Sequence, residues 1–285
     1  MSVQEAYKKL LFQLSGLYDN REAANIADMV MEHITGYQKT NRIIHKNILL
    51  DIQQQAQLQK CIEELLQHKP IQYVLQEAWF YGMKFFVNES VLIPRPETEE
   101  LIDWVTQEIN NKNIFVHTAL DIGSGSGCIP IALKKKNPHI SISSIDISKE
   151  ALVVAKKNAG DLGIEINFFE FDFLNESRWA ELSTFDLIIS NPPYIKQSES
   201  KDMRKNVLDF EPHIALFVPD SDSLIFYKKL AAFGKEHLAE DGKIFAEINE
   251  NSGEDVIKLF TNENYSVELK KDMRGKDRML KAVLK

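Results

Sequence analysis

The sequence predicts an α/β protein: a sheet of five parallel strands closed by an antiparallel terminal hairpin, with a small helical domain at the N-terminus. Three observations lead there. Residues 1 to about 78 show only helical periodicity. From residue 116 onward, short apolar runs alternate with amphipathic stretches, the pattern of a parallel sheet covered on both faces. The last two apolar runs, Tyr265 to Leu269 and Met279 to Leu284, are joined by Lys270 to Arg278, too short for a crossover helix, so they pair antiparallel at one sheet edge.

In chain order, Ala23, Ile26, Ala27, Val30, Met31 and Ile34 recur at helical spacing, with Asp19 or Asn20 as N-cap and Gly36 as stop. Gln53 to His68 repeats the pattern through Leu58, Cys61, Ile62, Leu65 and Leu66 and ends at Pro70. Trp79-Phe80-Tyr81 and Phe85-Phe86-Val87, broken by Gly82 and Asn88, predict a β-hairpin. Pro96 suits the first turn of a helix running to about Ile109. Arg95 before it fits a surface ion pair or a ligand cleft equally well. Strands follow at 116–122, 140–146, 165–171, 185–190 and 243–249, with helices near 127–137, 148–161, 223–239 and 252–262.

Composition narrows the function classes. Of 285 residues, 44% are hydrophobic and 27% charged, ordinary for a soluble globular protein. No apolar run reaches the ~18 residues of a membrane span, and Met1 to Ser15 carries Glu5, Lys8 and Lys9 where a signal peptide would be apolar. The net charge of −8 counts against a nucleic-acid substrate, and Lys134-Lys135-Lys136 falls at a helix end, where cations suit the macrodipole. Cys61 and Cys128 offer neither a disulfide framework nor metal spacing, which points to a reducing, cytoplasmic location. His33, His45 and His68 are scattered, so no metal is expected; a monomer is the default.

Chemistry concentrates at the strand ends. The first strand of the sheet runs into Asp121-Ile122-Gly123-Ser124-Gly125-Ser126-Gly127, a turn that lets a ligand approach the main chain closely. Its G-x-G-x-G spacing departs from the dinucleotide fingerprint, which makes an NAD oxidoreductase the weakest candidate. Acidic Asp121 would repel a pyrophosphate and suits a ligand with an ammonium group. Asp146 ends the second strand, where a carboxylate can accept from both ribose hydroxyls; the helix-capping role fits Ser148 better. Asp172 and Phe173 follow the third strand and can meet an adenine amine and ring. These strand ends describe an S-adenosyl-L-methionine site at the carboxyl edge of the sheet.

The fourth strand, Phe185 to Ile189, delivers Ser190-Asn191-Pro192-Pro193-Tyr194 into the same crevice. Taken alone, two prolines after a strand make a rigid turn. Beside a methyl donor, the turn can also hold a planar nitrogen, either an adenine amine or a glutamine amide. Such a nitrogen is a poor nucleophile because its lone pair is delocalised. Hydrogen bonds from its N–H groups to the Asn191 side-chain oxygen and the Pro192 carbonyl would orient it and favour charge building on it, while Tyr194 can stack on the planar group. Positioning alone contributes on the order of 7–11 kcal/mol in such reactions.

The ordered set Leu92-Ile93-Pro94-Arg95-Pro96-Glu97-Thr98-Glu99, Asp121 to Gly127, Asp146, Asn191-Pro192-Pro193-Tyr194-Ile195, Glu211-Pro212 with Ala215-Leu216, and Asp272 with Gly275, Asp277 and Arg278 resembles the HemK/PrmC family of peptide chain release factor glutamine N(5)-methyltransferases. The similarity covers essentially the whole chain. It implies a Rossmann-like class I methyltransferase sheet at 94–285, a β-hairpin linker at 79–93, and a helical domain at 1–78 that docks the substrate. The activity implied is methyl transfer from S-adenosyl-L-methionine to the glutamine of the Gly-Gly-Gln motif in release factors. By motif match, Gly123 to Gly127, Asp146, Phe173 and Asn191 would bind the donor, and Asn191 to Tyr194 the glutamine. Three departures stand out: Phe173 where some members have Trp, Gln76 where Gly is common, and Glu247-Ile248-Asn249 for Glu-Ile-Gly. The rival readings are a DNA adenine-amine methyltransferase, disfavoured by the acidic balance, and a non-catalytic adaptor binding an adenosine ligand, which would have no use for the Asn191 to Tyr194 set.

Overall fold

The computed structural model describes residues 1–111 and 116–285. The chain forms two compact units, Met1–Glu77 with Arg204–Phe210, and Ala78–Met203 with Glu211–Lys285.

The first unit contains α1 (Val3–Leu14), α2 (Asn20–Thr35), α3 (Lys39–Ile44), α4 (Ile52–Leu66) and α5 (Ile71–Leu75). The starts of α1, α2 and α4 are written in short polar side chains that satisfy orphan backbone donors. Asp19 Oδ1 accepts from Arg21 N at 2.8 Å and Glu22 N at 2.9 Å to begin α2. Ser2 with Glu5, and Asp51 with Gln54, form capping boxes. Gly36 closes α2 at φ 71°. Leu10, Leu14, Ala27, Val30, Met31, Leu58, Ile62 and Leu65 fill the interior. α5 ends on Gln76, a non-glycine residue at φ 55°. That left-handed conformation is the physical demand behind the glycine common at this position.

The second unit starts with β1 (Glu77–Phe80) and β2 (Met83–Phe86), joined by Tyr81 and Gly82, both at positive φ, as a tight hairpin turn requires. Then come α6 (Pro96–Asn111), β3 (Thr118–Ile122), α7 (Cys128–Lys136), β4 (Ser141–Asp146), α8 (Lys149–Leu162), β5 (Asn167–Glu170) and β6 (Phe185–Ser190). Next is the short β7 (Ile195–Lys196). The single turn α9 (Lys205–Leu208) falls in the segment that belongs with the first unit. After it follow β8 (Phe217–Val218), α10 (Ile225–His237), β9 (Leu238–Glu247), α11 (Gly253–Asn262), β10 (Tyr265–Lys271) and β11 (Asp277–Leu284).

The seven-stranded sheet has the order β10-β11-β9-β6-β3-β4-β5. β9, β6, β3, β4 and β5 run parallel to one another, as the alternating pattern predicts. The terminal hairpin is at one edge, with β11 inserted between β10 and β9 and antiparallel to both. Alternate residues supply two cores. Leu187, Ile189, Phe245 and Met279 face one side with Leu101, Trp104 and Ile131; Ile188, Ile244, Ala246 and Leu280 face the other with Tyr227, Leu230 and Phe260. Parallel pairing also brings the C-terminal ends of β3, β4, β5, β6 and β9 to one edge of the sheet.

Candidate active site

A cavity of about 1070 Å³, its open mouth included, lies along that edge. Its lining includes Arg95, Thr98, Gly123 to Ser126, Asp146, Asp172, Phe173, Asn191, Pro192 and Pro193. Open α/β sheets bind ligands in this crevice.

The glycine turn is built backbone-first. Gly123 N and Ser124 N donate to Ile145 O at 2.8 and 3.0 Å, so the turn folds back onto β4. Gly123, Gly125 and Gly127 all have positive φ. At Gly127 space is limiting too, since a Cβ there would lie 3.1 Å from Ile131 Cδ1 and 3.3 Å from Ala155 Cα. Gly125 N donates to Asp146 Oδ2 at 2.9 Å and Ser148 N to Oδ1 at 2.8 Å. Each Asp146 oxygen thus keeps accepting capacity. Burial nevertheless raises the Asp146 pKa, against the lowering effect of those backbone donors. Ser148 caps α8 by accepting from Ala151 N, so the capping role weighed for Asp146 falls on Ser148.

Asp121 is not at the ligand surface. It is 1% exposed and absent from the pocket lining. It pairs in register with Ser144 of β4, whose Oγ donates to Asp121 Oδ2 at 2.6 Å, and Ser124 Oγ lies 2.6 Å from Ser144 Oγ. The carboxyl therefore braces the turn from beneath. Burial pushes its pKa up to about 8, only partly offset by the Ser144 bond. The ammonium argument drawn from its charge does not hold for a carboxyl buried beneath the turn.

Asp172 and Phe173 both line the pocket. Asp172 Oδ1 accepts from Leu174 N at 3.0 Å. Phe173 stacks on Trp179 at 5.7 Å between ring centroids and meets Phe233 edge-on, so it is both wall and core. Of the two roles weighed for Arg95 the structure shows the cleft: it lines the pocket, and its guanidinium pairs at 2.5 Å with the buried Glu211 rather than with an adjacent carboxylate at the surface. Glu211 also accepts from Ile93 N at 3.2 Å, which ties the strand-like Ile93-Pro94-Arg95 segment down.

The Asn-Pro-Pro-Tyr turn divides. Asn191, Pro192 and Pro193 line the pocket, whereas Tyr194 does not. Its ring packs on the core and its hydroxyl donates to Glu247 Oε1 at 3.0 Å. The stacking role expected of Tyr194 is corrected accordingly: a buried carboxylate captures the phenol and turns the ring inward. Burial, and then the Glu247 charge, keep that phenol protonated far above its ordinary range. Thr98 Oγ1 donates to Glu247 Oε2 at 2.7 Å and accepts from Asn191 Nδ2 at 3.1 Å. The Tyr227 hydroxyl donates to the Glu247 carbonyl at 3.0 Å. Desolvation raises the Glu247 pKa despite these bonds. Sequence reasoning assigned no role to Thr98 or Glu247. The available signal was an acidic residue ending the buried run Ile244-Phe245-Ala246, since a carboxylate there must find partners.

Comparison with known proteins identifies the class as methyltransferase. The Methyltransferase small domain family model matches residues 102–209 and the PrmC N-terminal domain model residues 5–75. A methyltransferase from Pyrococcus furiosus shares the fold at TM-score 0.50 and 17% identity, covering 81% of this chain and 98% of that one. The release factor glutamine methyltransferase of Flavobacterium psychrophilum is 40% identical over 94% of both chains. That of Bacteroides thetaiotaomicron is 39% identical over 94% of this chain and 95% of its own. The chain belongs to the release factor glutamine methyltransferase family.

Proposed function

We propose that this protein transfers a methyl group from S-adenosyl-L-methionine to the side-chain amide nitrogen of the glutamine in the Gly-Gly-Gln motif of peptide chain release factors. The observation that carries the reading is the convergence of Asn191, Pro192 and Pro193 with Gly123 to Ser126 and Asp146 on one pocket, in a chain of this family.

The residues present fit the donor. Asp146 has lone pairs left for ribose hydroxyls, and Ser126 Oγ is buried on the lining with no partner among the described residues beyond the neighbouring Cys128 thiol. We assign Asp146 to the ribose, Gly123 to Ser126 to the amino-acid portion, and Asp172 with Phe173 to the adenine; Asn191 lies beside the reacting centre, and Gly127, which is not on the lining, caps α7. The donor supplies a methyl group on a positively charged sulfur. The chain's part is to hold the acceptor. Asn191 Oδ1 and the Pro192 carbonyl accept from the glutamine amide, fixing the nitrogen and stabilising the positive charge it gains as it becomes tetrahedral. The nitrogen then loses its surplus proton to water. Neither Glu247 nor Tyr194 acts as the base, because Glu247 has donors on both oxygens and the Tyr194 phenol stays protonated.

The helical unit is our candidate for docking the release factor. It exposes Ile43, Ile44, Leu49 and Ile52, apolar side chains available to a protein partner. The test is incubation with methyl-labelled S-adenosyl-L-methionine and either a release factor or duplex DNA, followed by location of the label. Label on the release factor glutamine is expected. Label in DNA, or in neither, overturns the proposal.

A further inference from the structure

We propose that Thr98, with its proton committed to Glu247, sets which way the Asn191 amide faces and thereby makes the site select an N–H-bearing group. The inference rests on the proposed glutamine reading and extends it to two positioning residues.

The argument is one of proton counting. A threonine hydroxyl has a single proton, and at Thr98 it goes to Glu247 Oε2 at 2.7 Å. The other carboxylate oxygen, Oε1, already accepts from the Tyr194 hydroxyl at 3.0 Å. While Glu247 is ionised and accepts on both oxygens, Thr98 Oγ1 can only accept from Asn191, and it does so from Nδ2 at 3.1 Å. Rotating the amide by half a turn would bring Asn191 Oδ1 against Thr98 Oγ1 with no proton between two oxygens. Because Thr98 is 2% exposed, water is a poor substitute partner. The amide is locked with Nδ2 turned to the protein, and Oδ1 is left as its acceptor in a residue that lines the pocket.

The parts come from three distant stretches of chain: Thr98 from the first turn of α6, Asn191 from the end of β6 and Glu247 from the end of β9. β6 and β9 are adjacent and parallel, with Ser190 opposite Ala246, so the residues after them in sequence are neighbours. A locked acceptor favours a primary amide over a carboxylate, whose oxygens would be repelled.

The test uses the full-length protein and compares Thr98→Val, which keeps the shape and loses the hydroxyl, with Thr98→Ser, which keeps the hydroxyl. Thr98→Val should lower kcat for release factor methylation about 10- to 100-fold, with donor affinity unchanged within about threefold. Thr98→Ser should restore most of the loss. A release factor with Glu in place of its target Gln should inhibit Thr98→Val several-fold more strongly than wild type, because the freed amide can turn Nδ2 outward. On an Asn191→Ala background the Thr98→Val change should add nothing further. If Thr98→Val does not fold, as judged by its melting curve, Thr98→Ala is read in its place. A kcat within about twofold of wild type, or a Ser variant as impaired as Val, overturns the proposal. Failure of the wild type to label release factor at all identifies the glutamine reading itself as the fault, and the relay falls with it.

Discussion

The Tyr194 hydroxyl donates to Glu247 Oε1 at 3.0 Å, tying the last residue of the Asn-Pro-Pro-Tyr turn to the end of the adjacent strand. Glu247 is buried and depends on donors from other elements, so the bond matters to both strand ends. Tyr194→Phe should destabilise the protein by about 1–3 kcal/mol, the usual cost of leaving a buried acceptor short of a donor. Chemical denaturation measures it. Methylation should fall less than in Asn191→Ala, since the phenol does not line the pocket.

Asn191→Ala removes the acceptor that the relay presents. Turnover should drop by about 10²–10³-fold, as when a preorganised polar contact to a developing charge is lost. Donor binding, followed by calorimetry, should remain measurable because Gly123 to Gly127 and Asp146 are untouched. Unchanged turnover would remove Asn191 from the mechanism.

Asp121 makes the ligand-free protein sensitive to pH. Its folded pKa of about 8 lies above the ordinary aspartate value of 3.8, so between these limits the folded state holds the proton more tightly than the unfolded state. Its contribution is favourable at low pH and is lost as pH rises from about 4 to 8, at up to about 1.4 kcal/mol per pH unit. Asp121→Asn should flatten that decline, and melting temperatures across the window test it. Parallel curves for the two proteins would contradict the assignment.

Gln76 occupies a left-handed position at φ 55° with a full side chain. Gln76→Gly should stabilise the helical unit by about 0.5–1 kcal/mol, since the strain relieved exceeds the entropy glycine adds to the unfolded chain. Asn249, the other departure from a common glycine, should not respond in this way. Its φ is not positive, and its Oδ1 accepts from Asn251 N at 2.9 Å to make the turn by itself.

Periodicity disclosed the elements because each strand and helix buries its own face. Strand β6 was legible to the residue, Phe185 to Ser190, and β3 to within two positions, whereas β9 begins at Leu238, five residues before the expected start and inside the stretch expected to be helix. The insertion of β11 between β10 and β9 was not legible, because pairing partners far apart in sequence leave no local signature. Much of the pocket lining was legible for the same reason as the elements: Gly123 to Ser126, Asp146, Asp172 and Phe173 all stand at or just after strand ends, and the parallel sheet brings those ends to one edge.

The sequence by itself determined the class of the fold, the family, and which residues meet at the carboxyl edge, since these follow from local patterns and from motifs read in order. Tertiary structure decided what those residues do there. Asp121 became a brace beneath the turn and Tyr194 turned inward to Glu247, because each polar side chain took the partner that burial brought within reach. The orientation of the Asn191 amide was settled by a threonine 93 residues away. A threonine proton committed to a buried carboxylate has no counterpart in composition or spacing.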